Sequence, residues 1–259
     1  MARFHRDRTA MFDLARTGDL AALFATPREQ RDGGWLERFY DAAWFASVEL
    51  AGDEAFSGPD GMPYLRLTLP REGVPFDSQC LANLAGACLD RGIGAAFFQA
   101  PGEPPEAAQF VFPYGVIDSM VRYDSPNGDP VDLDDWSRPP PAPPKRGFLG
   151  FGKAKEAPRE VLVATPSADY LPPHAARALH HYLAVRWELD DPHIALLVDA
   201  HQRPSRNLVI GRKFSSFGNE GFVQDLMRYT SWYLPPARGL ALMPEDWSLG
   251  QMTPLRELC

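Results

Sequence analysis

Basic side chains gather in one stretch of a chain whose formal net charge is −8. Arg203, Arg206, Arg212 and Lys213 bracket the apolar run 206–211. If that run is a strand, these side chains crowd its ends, where an anionic ligand, an acidic partner segment or RNA could bind. The RNA alternative is weaker, because the run lacks the aromatic side chains on which an RNA-binding sheet stacks bases. Solvated strand ends are the simpler interpretation, and an anion- or partner-binding site is the functional one.

A second basic group lies in the proline- and glycine-rich segment 138–159. Its cations and aromatic rings are Lys145, Arg146, Phe148, Phe151 and Lys153. Cations beside exposed aromatic rings can contact an anionic membrane surface or the groove of a partner protein. The composition also suits a passive tether, so docking by this segment is a hypothesis next to that simpler interpretation.

The same segment contains an incomplete phosphate-binding motif. Gly147, Gly152 and Lys153 satisfy Gly-x4-Gly-Lys, but Ala154 stands where a Ser or Thr must hold magnesium. A proline run precedes the glycines, whereas a phosphate loop needs a buried strand before it and a helix after it. We therefore interpret this stretch as linker and expect no nucleotide there.

Metal and nucleophile patterns are also incomplete. His193 and Asp199 lie six residues apart on one predicted strand, about 20 Å in extended chain, so they cannot share an ion. Cys80 and Cys88 lie eight residues apart on one predicted helix, about 12 Å, and cannot bridge. The sequence contains no Gly-x-Ser-x-Gly elbow. We predict no catalytic, metal or cofactor site.

An acidic cluster lies just before the proline-rich segment and comprises Asp129, Asp132, Asp134 and Asp135. Runs of like charge are usually solvated. We therefore interpret this cluster as a solvated segment.

The proline-rich segment is predicted to separate two folded domains, whose helices and strands position the groups named above. Prolines remove backbone donors and glycines disfavour regular structure, so we predict neither helix nor strand for residues 138–159. We predict an N-terminal domain at 1–137 and a C-terminal domain at 160–259, each long enough for its own core.

Composition narrows the class of protein. Hydrophobic residues make up 45% of the chain and charged residues 23%, as in a globular protein. No apolar stretch approaches the roughly 20 residues that span a bilayer, and no secretory signal is recognisable. We expect a cytoplasmic protein without stable membrane insertion. Its net charge of −8 argues against nucleic acid as a partner.

Periodicity predicts mixed helices and strands in both halves. In the front half, helical patterns cover 11–25, 35–43 and 78–91, and alternating patterns cover 44–50, 64–69, 93–99 and 109–114. The strands 44–50 and 64–69 are predicted to be antiparallel neighbours. The stretch 116–123 fits either type.

In the back half, strands at 160–164, 193–199, 206–211 and 239–243 alternate with helices that begin at Pro173 and after Asn219. The order β-α-β-β-α-β predicts an α+β, ferredoxin-like domain.

Three stretches of the back half carry a family resemblance, namely Val161–Pro166, Leu171–Leu179 and Trp232–Pro236. They resemble the C-terminal domain of the SseB family, bacterial proteins named for enhanced serine sensitivity. Phe110–Tyr114 and the strands before it are more loosely similar to that family's N-terminal domain. The long proline-rich segment departs from the family pattern.

The resemblance implies a non-enzymatic cytoplasmic protein linked to amino-acid metabolism or to protein–protein contacts, and it brings no catalytic residues. Our leading hypothesis is an interaction or regulatory module with a protein partner. The alternative is a small-molecule sensor that binds an amino acid or an anionic metabolite, a suggestion that rests on fold analogy alone.

Overall fold

The structure is a computed structural model that describes residues 13–52, 54–139 and 161–259. Two compact units are distinguished, the first ending at Pro126 and the second beginning at Asn127. Each unit combines helices with a sheet of mixed strand directions, which confirms the α+β class. The docking residues proposed in the linker, from Lys145 to Lys153, and the phosphate-loop-like stretch lie outside the described residues.

The first unit contains four helices and six strands among its described residues. The helices are α1 Leu14–Phe24, α2 Gly33–Phe45, α3 Leu81–Arg91 and α4 Tyr114–Tyr123. The strands are β1 Val48–Leu50, β2 Phe56–Ser57, β3 Pro63–Thr68, β4 Ser78–Gln79, β5 Gly94–Phe98 and β6 Phe110–Phe112.

Local signals set the ends of these helices. The Asp13 carboxylate accepts from the amides of Ala15 and Arg16 and so caps α1. Gly92 ends α3 in the left-handed conformation, with φ 68°, as the sequence predicts. One prediction here is wrong: α2 runs through Phe45, so strand structure begins only at Val48. The alternation that starts at Trp44 also fits the last turn of a helix with one buried face.

The sheet of the first unit has the order β4-β1-β3-β5-β6, and β2 pairs with β3 beside β1. β1 and β3 are antiparallel neighbours, as predicted. Against this sheet, α2 contributes Phe39, which is fully buried. Its ring lies 4.4 Å from that of Phe110 and 5.0 Å from that of Trp35, so the core here is largely aromatic.

The second unit contains three helices and five strands in the part of the chain that is described. The helices are α5 Pro130–Ser137, α6 Pro173–Arg186 and α7 Glu220–Ser231. The strands are β7 Leu162–Ala164, β8 His193–Val198, β9 Arg206–Lys213, β10 Gly239–Met243 and β11 Thr253–Pro254.

The element order β-α-β-β-α-β is present from β7 to β10, but the strands do not pair as in a ferredoxin-like sheet. The observed order is β10-β9-β8-β11, with β7 also paired to β8. In a split β-α-β unit, the two strands joined by a helix are parallel and a third strand separates them. Here β7 and β8 are antiparallel neighbours, and β9 and β10 are parallel neighbours. Periodicity locates strands, whereas their order depends on contacts distant in sequence.

Residues 127–137 belong to the second unit, although the proline-rich segment separates them from it in sequence. The sequence-based division at residue 137 therefore differs from the structural one at Pro126. The reason is that α5 is bound to the second unit by charged side chains. These contacts join residues that are distant in sequence, so the composition of the proline-rich segment gives no sign of them.

The helices of the described ranges are too short and too polar for any of them to cross a membrane.

Candidate functional site: the two ends of strand β9

The four basic residues predicted as a binding site lie at opposite ends of β9. Arg203 and Arg206 lie before and at its start, and Arg212 and Lys213 lie at its end. Six residues of extended chain place Arg206 and Arg212 about 20 Å apart. The structure therefore does not bring all four side chains to one site, and each end has its own chemistry.

At the first end, the parallel pairing of two strands places two arginines side by side. Gly239 of β10 pairs with Asn207 of β9, so the preceding residues, Arg238 and Arg206, are neighbours. The ring of Tyr170, from the turn before α6, lies below both guanidinium groups. The distances to its centroid are 4.0 Å for Arg238 and 5.4 Å for Arg206. We name these three residues the arginine socket.

Two aspartates of the α5 segment occupy the arginine socket. Asp132 accepts from Arg206 Nε at 3.1 Å through Oδ1, and from Arg238 Nε at 3.2 Å through Oδ2. Asp129 Oδ2 accepts from both guanidinium groups, at 3.4 Å from Arg206 and 3.3 Å from Arg238. Each carboxylate therefore bridges both arginines, an arrangement of charge-assisted hydrogen bonds.

Solvent is largely excluded from this cluster. The side chain of Arg238 has 0% exposure and that of Asp132 has 1%. Burial raises the pKa of the Tyr170 hydroxyl, which has no hydrogen-bond partner among the described residues. Tyr170 thus contributes the face of its ring, where a cation is attracted to the π electrons.

Further contacts hold the rest of α5. Asp135 accepts from the amide of Ser205 and lies 3.8 Å from Arg203. The indole Nε1 of Trp136 donates to the carbonyl of Ala237 at 2.7 Å. The interpretation of the acidic cluster as a solvated segment is therefore wrong for Asp132 and Asp135, since both are buried against the second unit.

At the other end of β9, the basic side chains contact neutral groups. Arg212 donates to the carbonyl of Trp187 and, at 3.3 Å, to the hydroxyl of Ser216. Lys213 donates to the carbonyl of Glu245 at 2.6 Å. In the described part of the chain, no ion pair of Arg212 with a carboxylate is present.

One aromatic ring contacts Arg212, and two further exposed phenylalanines lie in the same region of the chain. Its guanidinium lies 4.5 Å from the centroid of Phe217, and this ring packs edge-on against the buried Trp187 at 5.7 Å. Phe222, in the first turn of α7, lies 6.5 Å from Phe217 and is 54% exposed. Phe214, one turn before Phe217, is 51% exposed. We name Arg212, Phe214, Phe217 and Phe222 the aromatic patch.

Sequence reasoning found Arg203 and Arg206 but missed their partners. Arg238 and Tyr170 carried no sequence signal, because they are isolated in the chain. The available signal was charge complementarity: Asp129 and Asp132 lie three residues apart, as required for one side of a helix turn, and the chain offers a basic cluster of opposite sign.

His193 and His201 each contact the aspartate two residues before them. His193 Nδ1 contacts the carbonyl of Asp191 at 2.8 Å, and Asp199 accepts from the amide of His201 at 2.9 Å. Within the described ranges, no group of three or more metal-binding side chains converges.

No protein-family model matches this sequence, and no curated protein or solved structure matches it.

Proposed function

We propose that this chain is a non-enzymatic, cytoplasmic interaction or regulatory module of the SseB type, and that it binds a partner protein through the aromatic patch. The observation that carries the proposal is the exposure of Phe214 and Phe222, each about half accessible. Phe222 neighbours Phe217, whose ring contacts the Arg212 guanidinium, and this guanidinium pairs with no carboxylate of the described chain. The partner chemistry that fits is an apolar segment with an acidic residue.

The composition of the patch supports this assignment. Aromatic residues and arginine are enriched in protein interfaces, where large rings bury area at a low cost in side-chain entropy. Single exposed apolar residues are common on any surface, whereas neighbouring apolar side chains, such as Phe217 and Phe222 here, are typical of a contact surface. Phe217 is anchored on the buried Trp187 and so gives the patch a rigid centre.

The charge of Arg212 supports an acidic partner. Its hydrogen bonds to Trp187 and Ser216 orient the guanidinium but do not neutralise it. A carboxylate arriving with an apolar segment would pair with it while the segment covers the rings. Electrostatic complementarity of this kind increases the rate of association and the specificity of the complex.

A site-specific photocrosslinker tests the proposal. We would replace Phe222 with p-benzoylphenylalanine in the full chain and irradiate cells that express it. The matched control carries the same group at Val121, an apolar residue of α4 that is 43% exposed. We expect discrete crosslinked proteins from position 222 that are missing from position 121 and are lost when Arg212→Gln is added. The same adducts at both positions, or none at 222, would contradict the proposal.

A further inference from the structure

Helix α5 is bound to the second unit mainly through its charged side chains, since none of its apolar residues is fully buried and Leu133 is only partly buried. Its only buried residues are Asp132 and Asp135, whereas Val131 and Trp136 are 59% and 51% exposed. A surface helix of a globular protein ordinarily buries an apolar stripe. The face of α5 that meets the protein is instead acidic, and it meets arginines.

The geometry points to the arginine socket as a recognition site for acidic protein segments, which this chain occupies with its own helix α5. The socket recognises two carboxylates three residues apart, the spacing of Asp129 and Asp132. A partner segment with the same spacing would displace α5 and make the same bridging contacts to Arg206 and Arg238. In the structure described here, α5 is therefore an autoinhibitory occupant.

The exchange of α5 for a competing segment is feasible because the carboxylates of one replace the carboxylates of the other. Leaving Arg238 buried without a carboxylate would be strongly unfavourable, since an uncompensated buried charge destabilises a folded protein. A competing acidic segment supplies new carboxylates as the old ones leave, so this loss is avoided. The apolar area that opposes the exchange is limited, because no apolar side chain of α5 is fully buried, although Leu133 and Trp136 are partly covered.

The identity of the competitor follows from the shape of the occupied site. The carboxylates come from one helical turn, and Asp135 adds a third contact to Ser205 one turn later. The occupant that fits is a protein segment with acidic residues at positions i, i+3 and i+6. This inference does not depend on the aromatic patch, which lies at the other end of β9.

A peptide provides a direct test in the full-length protein. We would synthesise a fluorescein-labelled peptide with the sequence of residues 127–138 and measure its binding by fluorescence anisotropy. The receptors are the natural chain and the variant Asp129→Asn/Asp132→Asn/Asp135→Asn, in which α5 no longer competes. In the natural chain, α5 competes with the peptide at an effective concentration of order mM. A peptide with a dissociation constant of about 0.1 mM for the unoccupied socket should therefore bind the variant about tenfold more tightly than the natural chain.

Three controls test whether binding depends on the carboxylates of the peptide, on the arginine socket and on the specific aspartates of α5. A peptide with Asn in place of Asp129, Asp132 and Asp135 should not bind. Adding Arg206→Met to the triple variant should abolish binding of the acidic peptide. The variant Asp134→Asn should behave as the natural chain, because Asp134 is exposed and, among the described residues, forms an ion pair only with Arg138 at the end of the same helix. Equal binding of both peptides, or none by a variant whose α6 retains normal amide protection, would overturn the inference.

A second measurement applies if the triple variant does not fold. Hydrogen exchange of residues 130–137 would be followed in the natural chain while the acidic peptide is added. Displacement predicts faster exchange of α5 with the acidic peptide, no change with the Asn peptide, and no change in α6. Unchanged exchange of α5 at a saturating peptide concentration would refute displacement.

Discussion

Replacing Gly128 with alanine tests the position of α5 without changing any charge. Gly128 is buried, has φ +111° and precedes the cap residue Asp129. A Cβ atom here would lie 2.0 Å from the carbonyl oxygen of Pro236 and 2.9 Å from its carbon. Side chains do not approach backbone this closely, so the start of α5 must move away from Pro236.

The size of the effect follows from two opposing contributions. A non-glycine residue in this backbone region is destabilised by about 1–3 kcal/mol. Alanine restricts the unfolded chain, which recovers about 0.4–1 kcal/mol. We therefore expect Gly128→Ala to weaken the docking of α5 by about 1–2 kcal/mol before the clash is counted, or about 5- to 30-fold in its opening equilibrium.

Amide hydrogen exchange of residues 130–137, with α6 as an internal reference, measures this change. Local opening is detected separately from global unfolding by this method. The matched control is Gly52→Ala, since Gly52 has φ +104° and nothing within 4 Å of its Cβ position. Gly52→Ala should leave α5 exchange unchanged. The reasoning is refuted if α5 in Gly128→Ala exchanges as slowly as in the natural chain.

Two further predictions concern titratable groups. Burial raises the pKa of Cys88 to about 12 and also raises that of Cys80, and both residues are buried. Partial burial raises the pKa of Cys259 as well, but this residue is exposed to solvent. At pH 8, Ellman's reagent should therefore modify only Cys259 in the native protein and all three thiols in guanidinium chloride; a second fast thiol would contradict the core packing. Hydrogen bonds from the Ser215 hydroxyl and amide lower the pKa of Glu245 in the folded protein. The Glu245 carboxylate therefore stabilises the fold at pH values above its ordinary pKa. This stabilisation is lost as the pH falls through the lower pKa of the folded state. In an NMR titration, Ser215→Ala should raise the Glu245 midpoint, and an unchanged midpoint would count against the contact.

Local features of the sequence predicted the elements that depend on local physics. Pro173 begins α6 as expected of a proline in the first helical turn, and Asn219 caps α7 through its side chain. β10 spans Gly239–Met243, as its apolar run predicts. In each case the signal and the element occupy the same residues.

The arginine socket could not be predicted in the same way because its parts are distant in sequence. Asp132 and Arg206 are 74 residues apart, and Asp132 and Arg238 are 106 apart. The adjacency of the two arginines also depends on the parallel pairing of β9 with β10, which the ferredoxin-like expectation did not include. Charge spacing alone could suggest a pairing partner, but not the strand order that creates the socket.

The chemistry of the socket explains why it suits exchange better than permanent attachment. A buried ion pair adds little stability compared with apolar side chains of the same volume, because both charges lose their hydration. A helix fixed by leucines would be held more firmly, but no soluble segment could replace it without exposing apolar surface. Two carboxylates bridging Arg206 and Arg238 are specific in geometry and replaceable by two others. Charge-based docking of α5 therefore combines a defined resting structure with access for a competing acidic segment.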